Sequence, residues 1–192
     1  LPLTEIVPVP LQDLPDPAAF DAVIATSVNA FRHASPEFLS RLREKPLFAV
    51  GDATAAEARL AGFGNVRSAS GTAADLALLI AREMPQGARL LHLAGVKRTP
   101  GFAQEMERRE FSLHVAEIYD AQKISYATDF FLERVAKSDI WGALVLSTRA
   151  GELLAELAAR DGILQRFEKT LFFCISQKAA TPLREIAAGR IM

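Results

Sequence analysis

Ala22-Val23-Ile24-Ala25-Thr26-Ser27-Val28-Asn29-Ala30 is the stretch that decides the fold. Its apolar head has no polar alternation, so it reads as a strand buried on both faces, as in a parallel sheet between helices. It ends on two hydroxyl residues, after which the pattern turns helical. The same arrangement returns at Ala143-Leu144-Val145-Leu146-Ser147-Thr148-Arg149-Ala150. A second unit, Leu47-Phe48-Ala49-Val50-Gly51-Asp52-Ala53-Thr54-Ala55, has its counterpart in Phe172-Phe173-Cys174-Ile175-Ser176-Gln177-Lys178-Ala179-Ala180. Two strand–turn–helix units, each used twice in the same order, point to two lobes of like architecture.

Outward from these units the chain alternates strand and helix. Strands are expected at 22–25, 47–50, 65–68, 89–93, 112–119, 142–146 and 171–175. Helices are expected at 29–43, 54–61, 73–83, 101–109, 126–136, 150–160 and 178–187, with Gly62, Gly87 and Gly189 as stops. Residues 3–10 and 115–122 break the rhythm. Both are extended in character and flank a set of five strands; Pro8 and Pro10 suit an edge or a linker. They are read as a pair of connectors. The expected fold is therefore α/β: two Rossmann- or flavodoxin-like lobes with parallel sheets, joined by a two-stranded connector. Lobe one takes residues 1–8 and 122–192, lobe two the inserted residues 9–121. Lobe one is expected to be incomplete at both ends, because the sequence opens on Leu1 and stops at Arg190-Ile191-Met192, the start of a further strand.

Composition narrows the function classes. The 192 residues are 50% hydrophobic and carry 22 basic against 23 acidic side chains, a globular and nearly neutral chain. Nucleic-acid binding needs a concentrated basic surface, so no nucleic-acid partner is expected. No apolar run reaches the ~20 residues of a membrane span, and no export leader is visible. A single cysteine, Cys174, fits a reducing compartment, and a cytoplasmic monomer is expected. Nucleotide, phosphate-loop, zinc and serine-hydrolase motifs are missing, so no cofactor and no metal is expected. What remains is a series of turns after strands: Thr26-Ser27, Gly51 to Thr54, Ser70-Gly71-Thr72, Ala94-Gly95, Ser147-Thr148 and Ser176-Gln177. Open α/β sheets bind ligands at such ends, where free helix amides favour anions. The competing reading is that Ser27, Thr54, Thr72 and Ser147 only cap helices.

The series resembles the uroporphyrinogen-III synthase family. Residues 22–30 are similar to its D-x-[VI]-[IV]-F-T-S-x-N-A stretch. Residues 49–55 with Ala61-Gly62-Phe63 are similar to V-G-x-x-T-A and x-G-[FY]. Residues 71–76, 90–95, 115–119 (as V-x-x-[VI]-Y), 143–150 and 172–180 follow in the family's order. There are departures: Ser176 and Ala179 stand where G-x-x-T-A is frequent, and the family's opening strand and Arg-Pro turn have no counterpart here.

The resemblance implies an enzyme that closes a linear tetrapyrrole polycarboxylate, hydroxymethylbilane, into a ring. A terminal hydroxyl leaves as water, the azafulvene is attacked by the last ring at its substituted carbon, and a spiro intermediate recloses with that ring inverted. Positioning carries most of such catalysis. By resemblance Tyr119 borders the cleft and protonates or hydrogen-bonds the departing hydroxyl; an aromatic packed at the lobe junction, its hydroxyl held by backbone, is the competing reading. Thr54 would bind a carboxylate, Ser27, Val28 and Asn29 would form an amide cradle, and Ser147 and Thr148 would do the same from the other lobe. Gly95, Lys97, Arg98, Ser176 and Lys178 complete the expected substrate contacts. His33, His92, His114 and Cys174 are read as structural. Two rivals compete: a non-catalytic two-lobed small-molecule binding protein, and receiver-like modules, which would need an acidic cluster not found here.

Overall fold

The computed structural model describes residues 2–11, 16–98, 100–135, 140–160, 162–187 and 189–192. Its contacts divide the chain into two compact units, Ile6–Ala121 and Leu1–Glu5 with Gln122–Met192. Among the described residues the strands are β1 (Thr4–Pro8), β2 (Ala22–Ala25), β3 (Leu47–Ala49), β4 (Val66–Ser68), β5 (Arg89–Gly95), β6 (Ser112–Lys123), β7 (Gly142–Val145) and β8 (Leu171–Cys174). The longer helices are α3 (Asp52–Leu60), α4 (Ala73–Glu83), α5 (Gly101–Arg108), α6 (Thr128–Val135) and α7 (Thr148–Ala158). Shorter ones are α1 (Asn29–His33), α2 (Pro36–Leu42), α8 (Gln177–Ala180) and α9 (Arg184–Ala187).

The larger sheet has the order β1-β6-β5-β2-β3-β4, and β2 to β6 pair in parallel. Its apolar strands alternate between two cores. Val23, Ala25, Leu47, Leu91 and Leu93 pack with Phe31, Phe38, Leu42 and Ala58 from α1 to α3. Ala22, Ile24, Phe48 and Leu90 pack with Leu76, Ile80 and Met106 from α4 and α5. Helices thus cover both faces, which is why these strands tolerate no polar alternation. β1 runs beside β6: Val9 donates to the Ile118 carbonyl and Ile124 to that of Leu3, an antiparallel progression. The extended character of residues 3–10 and 115–122 has this ladder as its cause.

In the other unit β7 and β8 form a two-stranded parallel sheet. Phe172 bridges Ile191 in parallel, so residues 190–192 are strand-like as expected. Val145 and Phe172 pack with Phe131, Leu157, Phe167 and Leu183 in a single core.

Three expectations about helices need correction. Residues 29–43 form two helices, because Ser35 accepts the Phe38 amide as a cap and Pro36 takes the first helical position. Residues 178–187 are likewise broken, by a 3-10 turn at Thr181–Leu183 that contains Pro182. Gly87 has positive φ but lies beyond Met84, the C-cap of α4, so it serves a following turn and not the helix stop. Gly62 does follow the C-cap of α3 directly, at φ 96°. The expected last residue of the helix at 126–136 lies outside the described residues.

Candidate functional site

The order of parallel strands reverses between β2 and β5, and open α/β sheets bind ligands at the carboxyl ends of strands at such a reversal. From β2 the chain enters Thr26, Ser27 and Val28 before α1. Ser27 Oγ accepts the Asn29 amide at 3.2 Å, and its carbonyl accepts that of Ala30. Ser27, Val28 and Asn29 therefore sit together as a half-buried turn, with Val28 and not Ser27 as the N-cap residue. The Asn29 amide is already engaged within it.

At the end of β5 a bulge skips one residue of β6, so that Ala94 lies opposite Glu117 and Gly95 opposite Tyr119. The Tyr119 ring lies directly over Gly95; a Cβ there would meet its Cε2 at 2.8 Å. Only glycine admits the ring so close. The His33 ring stands 6.3 Å from the Tyr119 ring, and Tyr119 packs on the core that α1 to α3 cover. Among the described residues the Tyr119 hydroxyl makes no hydrogen bond. Beside it, Pro8, Val9, Leu11, His33 and Ile118 line a largely apolar cavity of about 380 Å³.

The turn after Gly95 is fixed by Arg98. Its Nη1 donates to the carbonyls of Gly95 and Val96 at 3.0 and 3.1 Å and to Glu117 Oε1 at 2.7 Å. Arg98 is thus partnered within the protein, while among the described residues Lys97 reaches only the Ala121 carbonyl, at 3.4 Å. Beneath this turn lies His92, buried in the middle of the apolar run of β5. Its Nε2 is 3.1 Å from Thr26 Oγ1, and its ring meets Phe102 edge-on at 5.3 Å. Burial, aided by the nearby Arg98 charge, pulls the His92 pKa down to about 4, so the ring is neutral at neutral pH.

At the end of β3, Gly51 is the N-cap of α3. Thr54 lies in the first turn of that helix and is 5% exposed, neither a cap nor an open ligand group. Asp52 accepts from Ser68 Oγ at 2.7 Å and Ser70 Oγ at 2.9 Å, and these bonds hold its carboxyl below the ordinary value. That favours a fixed anion over a base. Thr72 caps α4 in a reciprocal box with Asp75.

In the other unit Val145 pairs with Cys174, so the two turns that follow, at Ser147 and Ser176, leave the sheet side by side. Ser147 Oγ accepts the Ala150 amide at 3.0 Å and Ser176 Oγ that of Ala179 at 3.3 Å, both as N-caps. Thr148 opens α7, and Lys178 stands exposed on α8. Ala179, where threonine was the expected residue type, is fully buried, and its carbonyl leaves no room for a Cβ on Gly151 of α7. Cys174 is half-buried, at the edge of the core; the partial burial pushes its thiol pKa up. Among the described residues no three His, Cys, Asp or Glu side chains are grouped to hold a metal ion. Among the same residues no helix is long and apolar enough to cross a membrane.

The sequence over residues 1–192 matches the family model described as "Uroporphyrinogen-III synthase HemD". A search of curated proteins gave no match. Among solved structures, the uroporphyrinogen-III synthetase of Helicobacter pylori is similar, with TM-score 0.65 and 19% identity over 95% of this chain and 80% of that one. A mutant uroporphyrinogen III synthase of Thermus thermophilus is also similar, with TM-score 0.55 and 16% identity over 96% of this chain and 78% of that one. These two likenesses speak for the fold; the family model speaks for the sequence from first residue to last, and by it the chain belongs to the uroporphyrinogen-III synthase family.

Proposed function

We propose that this chain is the enzyme its family membership names. It cyclises hydroxymethylbilane to uroporphyrinogen III, with inversion of ring D and loss of water. The match of one family model to residues 1–192 is the observation that carries this reading. Strand ends rich in small and hydroxyl residues support it in kind. Such a site works by holding a folded substrate.

In this proposal residues 9–121 and the flanking 1–8 and 122–192 act as two lobes. The eight substrate carboxylates call for many donors, and each lobe supplies a set of its own. In one, the turn at Ser27, Val28 and Asn29, the start of α3 near Thr54, and the cation Lys97 serve, while Arg98, held by the Gly95 and Val96 carbonyls and Glu117, fixes the turn that carries Lys97. In the other, Ser147, Thr148, Ser176 and Lys178 serve. Helix starts favour anions through their free N–H groups and partial positive charge. Because Thr54 is enclosed, its part is to shape the first turn of α3 more than to bond directly. Tyr119, pressed onto Gly95, presents a phenol with a defined position, suited to protonating the hydroxyl that leaves as water. No cofactor or metal enters this scheme. The enzyme acts as a cytoplasmic monomer on a small-molecule substrate.

The test is direct. Purified protein is given freshly made hydroxymethylbilane, and the isomers formed are separated after oxidation. An excess of the inverted isomer over the spontaneous product supports the proposal. Formation of the uninverted isomer alone, at the uncatalysed rate, rejects it.

A further inference from the structure

His92 is a polar interruption in the run Leu90-Leu91-His92-Leu93, in a strand that otherwise buries only apolar side chains. A leucine there would fill the same space without desolvating two ring nitrogens. The ring faces the core under α4 and α5, on the same side as Ile24, its register partner in β2. From there it reaches past Ile24 to Thr26, the first residue after β2, while Phe102 of α5 closes its other side. Thr26 immediately precedes the turn in which Ser27 bonds the Asn29 and Ala30 amides. A single part-buried hydrogen bond thus ties the middle of β5 to the turn at the strand-order reversal.

We infer that His92 is a positioning residue, whose hydrogen bond to Thr26 sets the direction in which the turn at residues 26–29 leaves the sheet. The polar side chain serves this tie from within the core, and the turn it fixes is the one proposed above to receive a substrate carboxylate. That last clause, and the kinetic readout below, rest on the proposed function.

Two readouts test the inference in the full chain. The first is amide hydrogen exchange, which needs no substrate. Thr26→Val and His92→Leu each remove the bond, whereas Thr26→Ser and His92→Gln keep a partner within reach. Both removals are expected to speed exchange at Asn29 and Ala30 about tenfold, with α3 and α4 unchanged, and both conservative variants to restore protection. The second is steady-state kinetics with hydroxymethylbilane. Removing the bond is expected to raise KM about three- to tenfold while kcat stays within about twofold, and the double variant is expected to be no worse than either single one. Unchanged exchange at Asn29 and Ala30 overturns the inference. So does acceleration spread through residues 6–121, the mark of a simple packing role, and so does an additive double variant. If the unmodified protein forms no uroporphyrinogen III, the proposed function fails, and the exchange experiment alone decides the role of His92.

Discussion

The two sheets differ in cover. Ala22 to Ala25 of β2 are wholly buried, with helices on either side. In β7 and β8 the face of Ala143, Val145, Phe172 and Cys174 is packed by α6 to α9 and the 3-10 turns among them. The other face leaves Leu144 76%, Leu146 66% and Ile175 68% exposed. Yet all three strands are apolar throughout in sequence. An apolar run states that a strand can be covered on both sides; which helices follow, and to which side they cross, decides whether it is.

Burial therefore sets the largest contrast. Ile24→Ala is expected to cost about 3 kcal/mol of stability, since it removes packed methylenes from a site with little freedom to collapse. Leu144→Ala is expected to cost less than about 0.5 kcal/mol. Urea denaturation of the two variants would measure both; equal losses would mean that the exposed face is covered in solution.

Acid should distinguish the units next, because all three histidines lie within residues 6–121. For His92 the folded pKa, about 4, lies below the ordinary 6.5. Between these values the unfolded chain binds the proton more readily, so stability falls as pH drops from 6.5 towards 4. The loss is on the order of 3 kcal/mol when complete. Denaturation midpoints across this range should flatten in His92→Leu; an unchanged slope would show that the ring is not held neutral. Below pH 4 a further loss is expected as Asp52 and Asp75, whose hydroxyl and amide partners depress their pKa, become protonated.

On activity, Tyr119→Phe is expected to lower turnover by about 10²-fold with an unchanged denaturation midpoint. Full activity in this variant would remove the phenol from the mechanism and leave the family assignment standing. The smallest contrast concerns helix starts. Thr72→Ala breaks a reciprocal box and should cost about 1 kcal/mol, and Ser147→Ala, which loses a single bond, about half as much. Thermal denaturation resolves the pair; the reverse order would mean that Ser147 does more than cap α7.

Much of this was legible beforehand. The unbroken apolar strands announce a parallel sheet, and the bounds of α4 match the expected 73–83, with Thr72 at its start a local capping signal. Breaks inside helices were missed where a proline sat in an otherwise amphipathic run, as at Pro36 and Pro182, since the apolar spacing continued across the break. The bulge opposite Gly95 was invisible because pairing register depends on a neighbour far along the chain. His92 carried a readable signal, one polar residue amid leucines, but its partner Thr26 lies 66 residues away and only pairing of β2 with β5 reveals it.

The ladder between β1 and β6 has a consequence for how such a chain can be rearranged. Val9 and Ile118, near the first and last residues of the Ile6–Ala121 unit, are joined by one hydrogen bond. Its way in and its way out are neighbouring doors. A unit with that property can be excised and its ends tied by a short glycine linker, given new termini in a surface turn, or exchanged for another of equal span, with no rethreading of the residues on either side.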